Sequence, residues 1–132
     1  MKTEEYKDWI SKSEDNIKWS IDNLKDENYI LVCFLCQQAI EIILKGYCYF
    51  KDTVPPKIHD LLKLVTICTK LGLVLDDNQI PEISKVAEYY MHSRYPDMLD
   101  PTLDNKDIAS EALEIAQKTV KSVKLQIYAT NT

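Results

Sequence analysis

Two short stretches hold the residues whose types and spacing could do chemistry. In the first, Gln37, Gln38, Glu41 and Lys45 interrupt an otherwise apolar run between Phe34 and Tyr47. On a helix turning about 100° per residue, these four fall within an arc of roughly 100° and make a short polar stripe. Polar groups in such company cost free energy unless they are paired or wet. Glu41 and Lys45, at i and i+4, can form an ion pair at a surface seam. The same stripe can instead floor a cleft or line a subunit contact, and the spacing alone leaves both readings open.

The second stretch is Tyr89-Tyr90-Met91-His92-Ser93-Arg94-Tyr95-Pro96-Asp97. Arg94 is the only arginine; every other basic side chain is lysine. A guanidinium is always charged and offers a planar fork of donors that fits phosphate or carboxylate. Arg94 is thus a candidate phosphate-binding residue, and the alternative is a structural pair with Asp97 or a glutamate. The neighbouring tyrosines can stack on a base, although Tyr90, at helical spacing, reads as core.

Other chemistry has little to stand on. His59 precedes Asp60 where a helix starts, so a cap or local hydrogen bond is the simpler reading; His92 lies two residues before Arg94. Order alone gives no Ser-His-Asp or Cys-His arrangement. Two isolated glycines, Gly46 and Gly72, cannot form a phosphate-binding loop. No His, Asp and Glu cluster has metal spacing, and neither a metal nor a cofactor is expected. Cys33 and Cys36 form a C-x-x-C, but no second pair follows and the context is apolar. With Cys48 and Cys68 they read as free thiols in a core.

The elements that must position these residues are helices. Apolar residues at helical spacing predict a first helix over roughly Thr3 to Lys25, its stripe being Tyr6, Trp9, Ile10, Ile17, Ile21 and Leu24. A second, apolar nearly all round and therefore central, runs from about Tyr29 to Phe50. A third follows Pro55-Pro56 and ends near Gly72. A fourth spans about Gln79 to Met91 and stops at or before Tyr95, because Pro96 disfavours helical geometry in the residue before it. A fifth covers about Lys106 to Tyr128. No segment alternates with period two, so no sheet is predicted. The one long irregular stretch, Ser93 to Asn105, is of a length often functional in a compact bundle.

The chain has 132 residues, which suits a single domain over 1–132. Its net charge of −5 argues against nucleic-acid binding by bulk electrostatics, so any RNA contact must be local. The acidic balance also disfavours an anionic membrane surface. No apolar run reaches the ~18–20 residues of a membrane span, and the charged start lacks a signal-peptide core. A cytoplasmic protein is expected.

Three motifs in order resemble the HEPN family. The run Gln37-Gln38-Ala39-Ile40-Glu41-Ile42-Ile43-Leu44-Lys45 looks like the central helix of that domain. His59-Asp60-Leu61-Leu62-Lys63-Leu64 looks like the opening of its third helix. Ser93-Arg94-Tyr95-Pro96-Asp97 resembles the S-R-Y-P-D that follows the fourth, and Ala112 to Ala116 is similar to the small-residue pattern of the last. The resemblance implies an all-α, up-and-down bundle of about five helices that forms a homodimer. It also implies association with nucleotide or RNA, often as the partner subunit of a minimal nucleotidyltransferase in a toxin–antitoxin pair. The candidate nucleotide- or phosphate-binding set is Gln37, Glu41, Lys45, His59, Arg94, Tyr95 and Asp97. Some family members are metal-independent ribonucleases with an R-x(4–6)-H motif. Arg94 matches its arginine, but the histidine's positions hold Leu99, Asp100 and Pro101. A ribonuclease with a non-standard motif and a purely structural homodimer are the alternative readings.

Overall fold

The computed structural model describes residues 4–94, 97 and 101–130, with the backbone alone at 93, 94 and 130. The helices are α1 (Tyr6–Lys25), α2 (Tyr29–Phe50), α3 (Leu61–Lys70), α4 (Gln79–Arg94) and α5 (Lys106–Thr130), with a short 3-10 turn at Pro101–Leu103. No strand occurs among the described residues.

α2 is the axis of the bundle and touches all four other helices. Val32, Cys33, Cys36, Ala39, Ile40, Ile43, Leu44 and Cys48 are fully buried on it. By length and hydropathy α2 also passes as a membrane span, despite its four polar interruptions; inside the bundle this same apolarity fills the core. α1 and α5 cover one side of the axis, and α3 and α4 the other, each packing on its neighbour as well.

Local chemistry sets the ends. α3 begins at Leu61, later than Pro55-Pro56 suggest, because the Asp60 side chain accepts hydrogen bonds from Leu62 N (3.0 Å) and Lys63 N (3.2 Å). Gly72 follows its last turn with φ +112°, a conformation that favours glycine. Asn105 caps α5 through Asp107 N (2.8 Å) and Ile108 N (3.2 Å). α4 continues past Met91 to Arg94, one residue short of the position that Pro96 disfavours. Ser93 and Arg94 are therefore helical rather than part of the irregular stretch.

The α1–α2 contact departs from the apolar stripe expected of α1. Its fully buried positions are Tyr6, Ile10, Ser13, Asn16 and Ser20, while Ile17, Ile21 and Leu24 are half-buried. Ser13 Oγ donates to Ala39 O (2.8 Å), Ser20 Oγ to Asn16 O (2.7 Å) and Asn16 Nδ2 to Lys12 O (2.9 Å). Small side chains with satisfied hydroxyls let the two helices approach closely, and Gly46 meets Trp9 at the same seam.

Candidate functional site

Gln37, Glu41 and Lys45 occupy successive turns of α2, on the side facing the start of α3. Lys45 Nζ lies 3.1 Å from Glu41 Oε2, and both side chains are nearly buried. The pair is thus no surface seam. The loop ahead of α3 brings His59 to the same carboxylate, with Nδ1 3.1 Å from both oxygens. Gln37 Nε2 donates to Glu41 Oε1 (3.4 Å) and to the backbone carbonyl of His59 (3.2 Å). Glu41 therefore gathers three partners from two elements. A nearly buried carboxylate needs such company, since unpaired it would carry a large desolvation cost. The imidazole is differently placed: its side chain is 61% exposed.

A groove of about 470 Å³ opens beside this cluster, lined by Gln37, His59, Asp60, Leu61, Leu62, Ser84, Ala87, Glu88, Tyr90 and Met91. Its far wall is the second half of α4, pinned to α2 by packing of Tyr90 on Phe34, ring centroids 5.4 Å apart. Tyr90 is half-buried against that ring rather than sunk in the core. Tyr89 Oη donates to Glu111 Oε1 (3.1 Å) and fixes the other side of α4 to α5. Arg94 is the last residue of α4, one turn beyond Tyr90 and Met91.

Of the seven residues singled out from sequence, Gln37, Glu41, Lys45 and His59 come together. Arg94 ends the helix that walls their groove, and its side chain lies outside the described atoms. Asp97 is exposed beyond α4. Tyr95 lies outside the described residues. Gln38, counted in the polar stripe, is half-buried. Sequence reasoning missed Asp60, Glu88 and the apolar wall of Leu61 and Leu62; the H-D-L-L run was the available signal for three of the four.

The remaining polar chemistry is structural. Burial pushes the Cys33 thiol up to about 11 and the Cys36 thiol up to about 12, so both stay protonated at neutral pH and act as core residues. Cys48 and Cys68 are also free and buried, with sulfurs 3.8 Å apart, and Cys68 Sγ donates to Leu44 O (3.2 Å). No group of three or more His, Cys, Asp or Glu able to hold a metal ion occurs among the described residues. Another groove, between α1 and α5, has apolar lining from Ile17, Ile21, Val120, Leu125 and Tyr128 with charged residues such as Glu14, Lys18 and Lys121 among them, and includes none of the seven candidate site residues.

The family model of the HEPN domain matches residues 6–126 of this five-helix bundle. The chain belongs to the HEPN domain family. Among solved structures it is similar to TT1696 from Thermus thermophilus, at 25% identity over 92% of this chain and 98% of that one, with a TM-score of 0.83. It is likewise similar to ST0689, an archaeal HEPN homologue, at 25% identity over 92% and 97% of the two chains, with a TM-score of 0.75. No functionally curated protein matches.

Proposed function

We propose that this HEPN domain is a nucleotide- or RNA-associated binding module, working as the partner subunit of a minimal nucleotidyltransferase in a toxin–antitoxin type system. The observation that carries the reading is the groove beside the Gln37–Glu41–Lys45–His59 cluster, whose α4 wall ends at the chain's single arginine. A preformed concave site with mostly apolar walls and a few convergent polar groups suits a small ligand. Arg94 at its end supplies the charge that a phosphate needs, while the acidic remainder of the surface keeps the interaction local. The class of ligand and the partner are those that the family resemblance implies, and the expected assembly is a homodimer.

Calorimetric titration with mono- and dinucleotides tests the ligand, and co-purification with a co-expressed minimal nucleotidyltransferase tests the partner. Arg94→Ala is expected to weaken nucleotide binding by about tenfold to a hundredfold, the loss for a charged hydrogen bond. Unchanged binding by that variant, or silence in both assays, would overturn the proposal.

One contact favours a second reading, a metal-independent ribonuclease. A histidine held by a carboxylate through Nδ1 is oriented for proton transfer at its other nitrogen, and His59 is so held and exposed. His59 would take the 2′-hydroxyl proton as the 2′-oxygen attacks phosphorus and return it to the departing 5′-oxygen as that P–O bond breaks, while Arg94 offsets charge on the phosphorane. RNA cleavage in chelator that disappears in both His59→Ala and Arg94→Ala would establish it; cleavage surviving either change would end it.

A further inference from the structure

The groove between α1 and α5 encloses about 500 Å³, a size within the range of roughly 300–1,000 Å³ usual for small-ligand sites. Ile17 and Ile21 stand one turn apart on its α1 wall, and Val120, Leu125 and Tyr128 line its α5 wall. Leu125 is 60% exposed and Tyr128 46%. Single apolar side chains on a surface are ordinary, but a strip of them gathered into one concavity marks a place where something binds.

The charges around the strip favour one sign. Lys124 Nζ lies 3.0 Å from Glu14 Oε2, so this pair spans the two helices and that carboxylate is already answered. Lys18 on α1 and Lys121 on α5 also line the groove, and neither they nor Asp22 make an ion pair among the described residues. Two ammonium groups thus stand against one free carboxylate, in a chain whose net charge is −5. The local excess is opposite in sign to the molecule as a whole. A lysine beside apolar surface lays its stem along the wall and keeps its charge in water. An anionic head at the mouth of the groove meets such lysines without being buried.

We propose that this groove is a second ligand site, for an anionic amphiphile: a carboxylate carrying an apolar chain or ring. The apolar part packs along Ile17, Ile21 and Leu125, and the carboxylate is held at Lys18 and Lys121. The site shares no lining residue with the His59 groove and does not depend on the nucleotide-binding reading.

The experiment follows the fluorescence of bound 8-anilinonaphthalene-1-sulfonate, itself an anionic aromatic, on the full-length protein. Decanoate, decanol and decyltrimethylammonium compete for it below their micelle-forming concentrations. Decanoate is expected to displace the dye at about fivefold lower concentration than decanol, the gain for solvent-exposed charge pairs, and the ammonium compound is expected to be the weakest. A Lys18→Gln, Lys121→Gln double variant should bring decanoate to the level of decanol. Leu125→Glu should weaken both about tenfold, by loss of apolar contact. All three positions are exposed, so the variants should keep native helicity by circular dichroism. Decanoate binding no better than decanol, or as well to Leu125→Glu as to the unaltered protein, overturns the proposal. So does a dimer in light scattering that ignores decanoate and that Leu125→Glu splits, for the groove would then be covered by a second copy. The three-way competition on unaltered protein decides the matter even where a variant fails to fold.

Discussion

The imidazole of His59 rests on the carboxylate of Glu41, with Nδ1 3.1 Å from each oxygen, across 18 residues of sequence. The two ends of this contact differ in burial, the carboxylate being nearly enclosed and the imidazole mostly exposed. That asymmetry separates stability from function. Glu41→Ala strands the enclosed Lys45 ammonium and is expected to cost about 3 kcal/mol in urea unfolding. His59→Ala should cost under about 1 kcal/mol. A Glu41→Met, Lys45→Met double variant should recover much of the loss. If Glu41→Ala and His59→Ala were equally destabilising, the described burial would be wrong.

Gly46 poses a contest of signs. Alanine is the better helix former by about 1 kcal/mol. A Cβ at position 46, however, would stand 3.0 Å from Trp9 Cβ, so α1 and α2 would have to part by a few tenths of an ångström. Overpacking of this kind outweighs propensity, and Gly46→Ala should lose about 1–2 kcal/mol of stability. Thermal unfolding of the variant gives the sign directly.

The end of α1 offers the opposite case. Glu27 adopts φ 64°, left-handed backbone that a side chain disfavours, and it is exposed. Glu27→Gly relieves this at some cost in chain entropy and should raise stability by about 0.5–1 kcal/mol. A lowered denaturation midpoint would show that the Glu27 side chain contributes something its exposure conceals.

Tyr89 gives a pH dependence. Burial first, then its hydrogen bond to Glu111, pushes the hydroxyl up to about 12. The folded value lies above the ordinary one near 10, so between them the native state holds a proton that the unfolded state releases. Stability from this group is complete below about pH 10 and is lost as pH rises toward about 12. The difference in unfolding free energy between the unaltered protein and Tyr89→Phe should be flat at neutral pH and shrink across that window; a difference growing with pH would reverse the assignment.

Some of this was open to sequence reading and some was not, for reasons tied to particular residues. Gln37, Glu41 and Lys45 repeat every four residues within an apolar run, so their shared face follows from helical geometry alone. Gly72 at a helix end predicts its own conformation. Ser13, Asn16 and Ser20 resemble a solvent face until their acceptors are known, one of which, Ala39 O, sits on another helix. No periodicity links His59 to Glu41, because a loop makes that contact. Pro96 limits α4 without fixing its last residue, and the helix runs to Arg94. The polarity of the groove depends on Asp60, at the start of α3, and Glu88, on α4, lining the same space, which spacing in the chain does not encode.

The central position of α2 has a bearing on how such a domain can change. Every other helix leans on it, so exchanging Glu41 or Lys45 alone strands a nearly buried charge at the centre of the bundle. His59 is mostly exposed. Change would therefore come by edits along the loop that carries His59, while the axis passes unaltered from one descendant to the next.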